Sequence, residues 1–164
     1  MKNRKRGFSL VELLIVLAVI AALIATITPV ALNAIRKSKA TQVAQNLKTL
    51  ASALENAAYV NGTHSSGYVK NPAGTAAVTL AELGRDIDDS LYGIEYTKTT
   101  NWAFEAIVYY SGTDVDTGMV EQVLRNATST TDWNYSDLPD ANKLGTSIPV
   151  TGQGMFYTFT FSVY

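Results

Sequence analysis

Hydrophobic and polar positions divide the chain into three stretches. Residues 8–32 form a nearly unbroken apolar run that carries a single charge, Glu12. From position 40 the apolar residues become periodic. Ala40, Val43, Leu47, Leu50 and Leu54 step by three and four, and Ala44, Ala51, Ala57 and Ala58 widen the stripe, the pattern of an amphipathic helix. No strong terminator separates run from stripe, so the pattern predicts one helix from about Phe8 to about Val60, with Asn61-Gly62 as its stop. At about 1.5 Å per residue that helix is roughly 80 Å long. No compact domain of this size buries such a helix, so its first half must project, into a bilayer or against copies of itself.

The third stretch, residues 61–164, reads as a small α+β head. Residues 63–79, rich in Gly, Ser, Thr and Asn, form a loop, and Thr79-Leu-Ala-Glu82 matches a capping box that opens a short helix before Gly84. Strands are predicted over 93–99 and 102–110, with 99–101 as the turn of a hairpin. In the second, Trp102, Phe104, Ala106, Val108 and Tyr110 alternate with Ala103, Glu105, Ile107 and Tyr109. A short helix is expected over 116–126, capped by Asp116 or Thr117, and a loop over 127–153. The clearest strand signal closes the chain, where Met155, Tyr157, Phe159, Phe161 and Val163 alternate with Phe156, Thr158, Thr160 and Ser162. The economical architecture is an antiparallel sheet packed on the stripe from Val43 to Leu54.

The apolar run admits three readings: a secretory signal, a permanent membrane anchor, or a span that is also an assembly surface. It is long enough for the roughly 30 Å hydrocarbon core. Lys2, Arg4, Lys5 and Arg6 suit the start of a secretory signal and Ala22 to Ala25 supply small residues, but the run is too long for one. Arg36, Lys37 and Lys39 flank the far end, so charge alone sets orientation weakly. Glu12 is the discriminating residue. A carboxylate inside a spanning helix costs a few kcal/mol on insertion scales, roughly 2.5–3.5 at the centre and less near an end, and such residues usually have a partner. The best placed is an α-amine created at Phe8 by cutting after Gly7, on the same helix or a neighbour's; the alternative is an exposed interfacial glutamate. Pro29 lacks the N–H that bonds the Ala25 carbonyl and follows β-branched Thr26, Ile27 and Thr28, which makes a soft spot or a gentle kink.

Composition adds exclusions. The 164 residues are 47% hydrophobic and 16% charged, enough for one modest core, and they contain no cysteine, which removes disulfides, thiolate metal sites and thiol nucleophiles. The only histidine is His64, in a Gly/Ser loop, so a catalytic triad or multi-histidine metal site lacks material. No enzyme, metal or cofactor is expected. Asp114-Val-Asp116 with Glu121 offers oxygens to calcium but lacks the spacing of a calcium loop, and an Asx-type turn is the plainer reading. Removing the four basic residues that precede Gly7 takes the formal net charge from −1 to −5, with Asp86, Asp88 and Asp89 clustered in the head, which argues against nucleic-acid binding. The run Arg36, Lys37 and Lys39 suits acidic groups of a neighbouring subunit or a solvated helix face.

The basic start, Gly7, Phe8-Ser-Leu-Val-Glu12, the apolar run and Pro29 together resemble the N-terminus of a type IV prepilin, over roughly residues 1–60. The resemblance implies a leader at 1–7 removed after Gly7 by a prepilin peptidase, methylation of the Phe8 amine, and packing of apolar helices in a filament core with Glu12 as a register mark. The helix over 8–60 is then membrane-spanning over 8–32, and 61–164 is the globular head. It implies a cytoplasmic N-terminus, an assembly platform and ATPase as partners, a single-pass membrane precursor and an extracellular homopolymer. Ala21 stands where many members carry glycine, and the C-terminal disulfide common in the family is impossible here. The expected function is a major pilin; the alternatives are a pseudopilin of a secretion or DNA-uptake system, a minor pilin, or an uncleaved, membrane-anchored extracellular binding domain.

Overall fold

The computed structural model describes residues 8–99, 102–129, 142–146 and 154–163. Helix α1 runs over Leu10–Asn61, 52 residues without interruption, or about 78 Å at the rise of an α-helix. Ser9 caps its start, and Gly62, at φ +74°, follows its end; that backbone conformation favours glycine. The helix starts two residues later than the apolar pattern suggests, because Phe8 and Ser9 lie ahead of the first turn.

Two environments share this one helix. Every residue from Leu10 to Lys39 is exposed, and Ala40 is the first that is buried. Beyond it Ala40, Val43, Ala44, Leu47, Leu50 and Leu54 face the head at 5% exposure or less. Each large side chain so buried contributes about 1.5–3 kcal/mol, which fixes the second half of α1 in the head.

The head is a five-stranded antiparallel sheet in the order β3-β5-β2-β1-β4. Strands β1 (Tyr92–Lys98) and β2 (Ala103–Tyr110) form the hairpin, and β5 (Met155–Ser162) pairs along the whole of β2. Ile94, Tyr96, Phe104, Val108, Met155 and Phe161 close over the stripe of α1 in one core. Short helices α2 (Leu80–Leu83) and α3 (Thr117–Val123) flank it. Thr79 and Glu82 form the expected capping box, and Asp116, not Thr117, caps α3 by accepting from Met119 N–H at 3.1 Å.

Three features depart from the sequence pattern. Within the supposed loop over 127–153, β3 (Ala127–Thr128) pairs with β5 and β4 (Asn142–Gly145) with β1. Two and four residues are too few for alternation to register, and backbone pairing defines them; 130–141 and 147–153 lie outside the described residues, as do 100 and 101 of the hairpin turn. Trp102 precedes β2 instead of starting it. It is 53% exposed at φ +62°, with Lys98 Nζ 3.7 Å from its ring centroid. Finally, the sheet is buried on both sides at its centre. Ile107, Tyr109 and Phe156 form a second cluster away from α1, and Glu95 beside them is 3% exposed with Lys143 at 3.5 Å.

Candidate assembly site

The N-terminal end of α1 is organised by Ser9 and Glu12. Ser9 is extended, its Oγ accepts from Val11 N–H at 3.3 Å, and the Glu12 carboxylate accepts from Ser9 N–H at 2.9 Å. The two close a capping box, satisfying N–H groups that the first turn leaves without helical acceptors. Glu12 therefore has a partner inside its own chain. The sequence reading missed it, although Ser9-Leu-Val-Glu12 carries the same spacing as Thr79-Leu-Ala-Glu82. Phe8 stands just outside the cap at 86% exposure. Gly7 lies outside the described residues.

Pro29 does not interrupt α1. Beside the carbonyl of Ala25, which it leaves without its usual donor, Thr26 Oγ1 donates to the Leu23 carbonyl at 2.9 Å and Thr28 Oγ1 to the Ile24 carbonyl at 2.7 Å. The two threonines thus add bonds to the turn that proline weakens. Around this point Leu23, Ile24, Ile27 and Val30 are exposed on successive faces, so nothing in the head covers any side of the run. Among the described residues α1 is the one helix long and apolar enough to cross a membrane.

Immediately after the run comes a basic collar. Arg36 and Lys37 are exposed and make no ion pair within 4.0 Å among the described residues. Lys39 is different. Its Nζ lies 2.6 Å from Asp114 Oδ2, while Tyr110 Oη donates to Asp114 Oδ1 at 2.5 Å. Lys39 first, then Tyr110, holds the Asp114 carboxyl below the usual carboxylate range. Burial, followed by the neighbouring Asp114, pushes the Tyr110 phenol well above its ordinary value, so it remains a donor. Next to it Asn46 Nδ2 donates to Tyr92 Oη at 3.1 Å.

These groups border a cleft of about 200 Å³ between α1 and the head. Lys39, Gln42 and Asn46 form its helix wall, and Asp86, Asp88 and Asp114 its acidic rim. Ser90 donates to Asp88 through both its hydroxyl, at 2.6 Å, and its backbone N–H, at 2.9 Å, which lowers the Asp88 pKa. Three carboxylates against one ammonium leave the cleft negative.

Other sequence candidates are occupied locally. Asp114 is tied to Lys39 and Tyr110, Asp116 caps α3, and Glu121 accepts from Ser129 N–H at 3.0 Å; the three do not converge on a common point for calcium, and no group of three or more His, Asp or Glu among the described residues is placed to hold a metal. His64 stacks on Tyr68 at 4.5 Å and its Nδ1 contacts Ser66 Oγ at 2.7 Å.

Residues 2–28 match a family described as the prokaryotic N-terminal methylation motif. No curated protein and no solved structure matches the chain. The match covers the basic start, Phe8, Glu12 and the apolar run up to Thr28, and its described part, residues 8–28, is exposed throughout.

Proposed function

We propose that this chain, which opens with a type IV prepilin-type leader and folds as a long helix on an antiparallel sheet, is the repeating subunit of a type IV pilus. The leader implies processing by a prepilin peptidase. In the proposed sequence of events the precursor sits in the membrane through the apolar half of α1, is cut after Gly7, and is methylated on the Phe8 amine. An assembly platform and ATPase then add it to an extracellular fibre. The role is structural and not enzymatic, and it calls for no cofactor and no nucleic-acid partner.

One observation carries this reading: a methylation motif lies directly on a helix half that is exposed on every face, while the other half buries one stripe in its head. An apolar surface of that size is unstable in water. A bilayer covers it in the precursor and neighbouring copies of α1 cover it in a filament, where apolar helices pack closely. Glu12 fits the same scheme, because an amine at Phe8 of an adjacent subunit gives its carboxylate a charged partner.

Mass spectrometry of the native N-terminus, with shearing of cells to collect surface fibres, tests the proposal. The expected result is a chain beginning at N-methylated Phe8 and forming the bulk of the sheared material. A methylated chain retained in the envelope with no fibre points to a pseudopilin, and an intact Met1 points to a membrane-anchored binding domain.

A further inference from the structure

We propose that the basic collar of one subunit docks into the acidic cleft of a second copy, with Arg36 as the inserted side chain and Asp86 and Asp88 as its acceptors. This rests on the filament reading above and adds a contact between heads to the packing of the helices.

The argument begins with what is unpartnered. Lys39, the last residue of the collar, is committed to Asp114 of its own chain, whereas Arg36 and Lys37 are exposed and without an ion pair among the described residues. One turn further on, the same chain presents a cleft whose rim is negative and whose walls are Tyr92, Tyr110 and Leu91. Two donors without acceptors and a negative cleft are complementary in charge. A guanidinium suits such a site, since its planar fork bonds carboxylates and its face lies well against tyrosine rings.

The axial positions agree. The helix wall of the cleft is Lys39, Gln42, Val43 and Asn46, centred six or seven residues above Arg36, or about 10 Å along the axis. For Arg36 to enter a neighbour's cleft, its subunit must be displaced toward the heads by that amount. Pairing the Phe8 amine of one subunit with Glu12 of another requires displacement in the same direction by four residues, or about 6 Å. The difference is within the length of an arginine side chain. One stagger therefore serves both contacts: the displaced subunit donates through Phe8 and Arg36, and the other accepts through Glu12 and the cleft. Apolar helices slide past one another with little penalty, and a second charged contact far from the first fixes the offset more firmly than either alone.

The chain contains no cysteine, which permits a direct test in the native host. Two full-length chains, Arg36→Cys and Asp86→Cys, are expressed together, and sheared fibres are treated with a short bismaleimide. Cross-linked dimer is expected from the mixture and from neither chain alone. In parallel, Arg36→Glu with Lys37→Glu is expected to lower fibre yield about tenfold by setting like charges together, with cleaved subunit in the membrane unchanged. Adding Asp86→Lys and Asp88→Lys is expected to restore the yield. Wild-type fibres with no mixed cross-link, or normal fibres from the reversed collar, overturn the docking proposal and leave the pilin reading intact. Absence of any fibre from the wild type overturns the pilin reading itself and this inference with it.

Discussion

Lys39 Nζ lies 2.6 Å from Asp114 Oδ2, and the pair joins the stalk to the head across 75 residues of sequence. It sits where α1 passes from exposed to buried, next to Ala40. Tyr110, anchored in β2, donates to the other carboxylate oxygen, so Asp114 bridges helix and sheet.

This bridge gives a pH prediction. Because Lys39 and Tyr110 hold Asp114 below the usual carboxylate range, the interaction contributes fully above the unfolded value, near pH 3.9. It is lost as pH falls through the lower folded value. Side chains 51% and 59% exposed limit its size, and Lys39→Met is expected to cost no more than about 1 kcal/mol at neutral pH. Denaturant unfolding of the detergent-solubilised chain at about pH 7 and about pH 3 checks this: the gap between wild type and Lys39→Met narrows at the acidic pH. A gap that persists unchanged shows that Lys39 acts by packing, not charge.

Two glycines predict changes of opposite sign. Gly145 has φ +77°, and an added Cβ meets the Tyr92 carbonyl oxygen at 2.5 Å and Leu80 Cδ2 at 2.8 Å. The carbonyl belongs to β1 and has little room to retreat. Gly145→Ala is expected to destabilise the head by about 1–3 kcal/mol. In α3, a Cβ at Gly118 meets nothing closer than Asp116 Oδ1 at 3.5 Å, so Gly118→Ala is expected to be neutral or stabilising by up to about 1 kcal/mol. Denaturation midpoints of the two variants measure both.

Processing supplies a third prediction. Gly7 presents no side chain to a peptidase, so Gly7→Leu is expected to leave uncleaved precursor in the membrane and no N-methylated Phe8. Immunoblotting for the size shift and mass spectrometry of the N-terminus read this directly. Normal processing of the variant moves the cut elsewhere, with Ala22 to Ala25 the next place to look.

How much of this was legible in the sequence depended on the length of each pattern. The stripe from Val43 to Leu54 and the alternation from Met155 to Phe161 repeat often enough to show their partners' direction, and α1, β1, β2 and β5 follow from them. Strands β3 and β4 repeat too little. Ile107 and Tyr109 alternate with the residues that close over α1, yet both are fully buried on the other face, because alternation shows which residues share a face and not whether that face is covered. The bridge from Lys39 to Asp114 depends on tertiary placement, and no local spacing announces it. Ser9 and Glu12 are the opposite case: the spacing Ser9-Leu-Val-Glu12 is itself a capping-box signature, and it names the nearest partner of the Glu12 carboxylate, Ser9 N–H.

That box sharpens the last prediction. If the Phe8 amine of an adjacent subunit takes the Glu12 carboxylate in the filament, the carboxylate must leave or share its bond with Ser9 N–H during assembly. Glu12→Gln separates the two roles, since glutamine at the third helical position also completes a capping box. The variant is expected to keep the start of α1, to insert and to be cleaved, yet to form few fibres, because the amine then lacks its counter-charge in an apolar core, where an unpaired charge costs several kcal/mol. Ser9→Ala does the reverse. It removes the cap, worth about 1 kcal/mol, and keeps the charge, so its fibre yield is expected to stay near wild type. Cleaved membrane subunit and sheared fibre are quantified for wild type, Glu12→Gln and Ser9→Ala. Loss of fibre from Ser9→Ala as well as from Glu12→Gln means that assembly needs the cap in addition to the Glu12 charge. Full yield from Glu12→Gln removes the register role, and the capping box is then the whole reason for an acidic residue at this position.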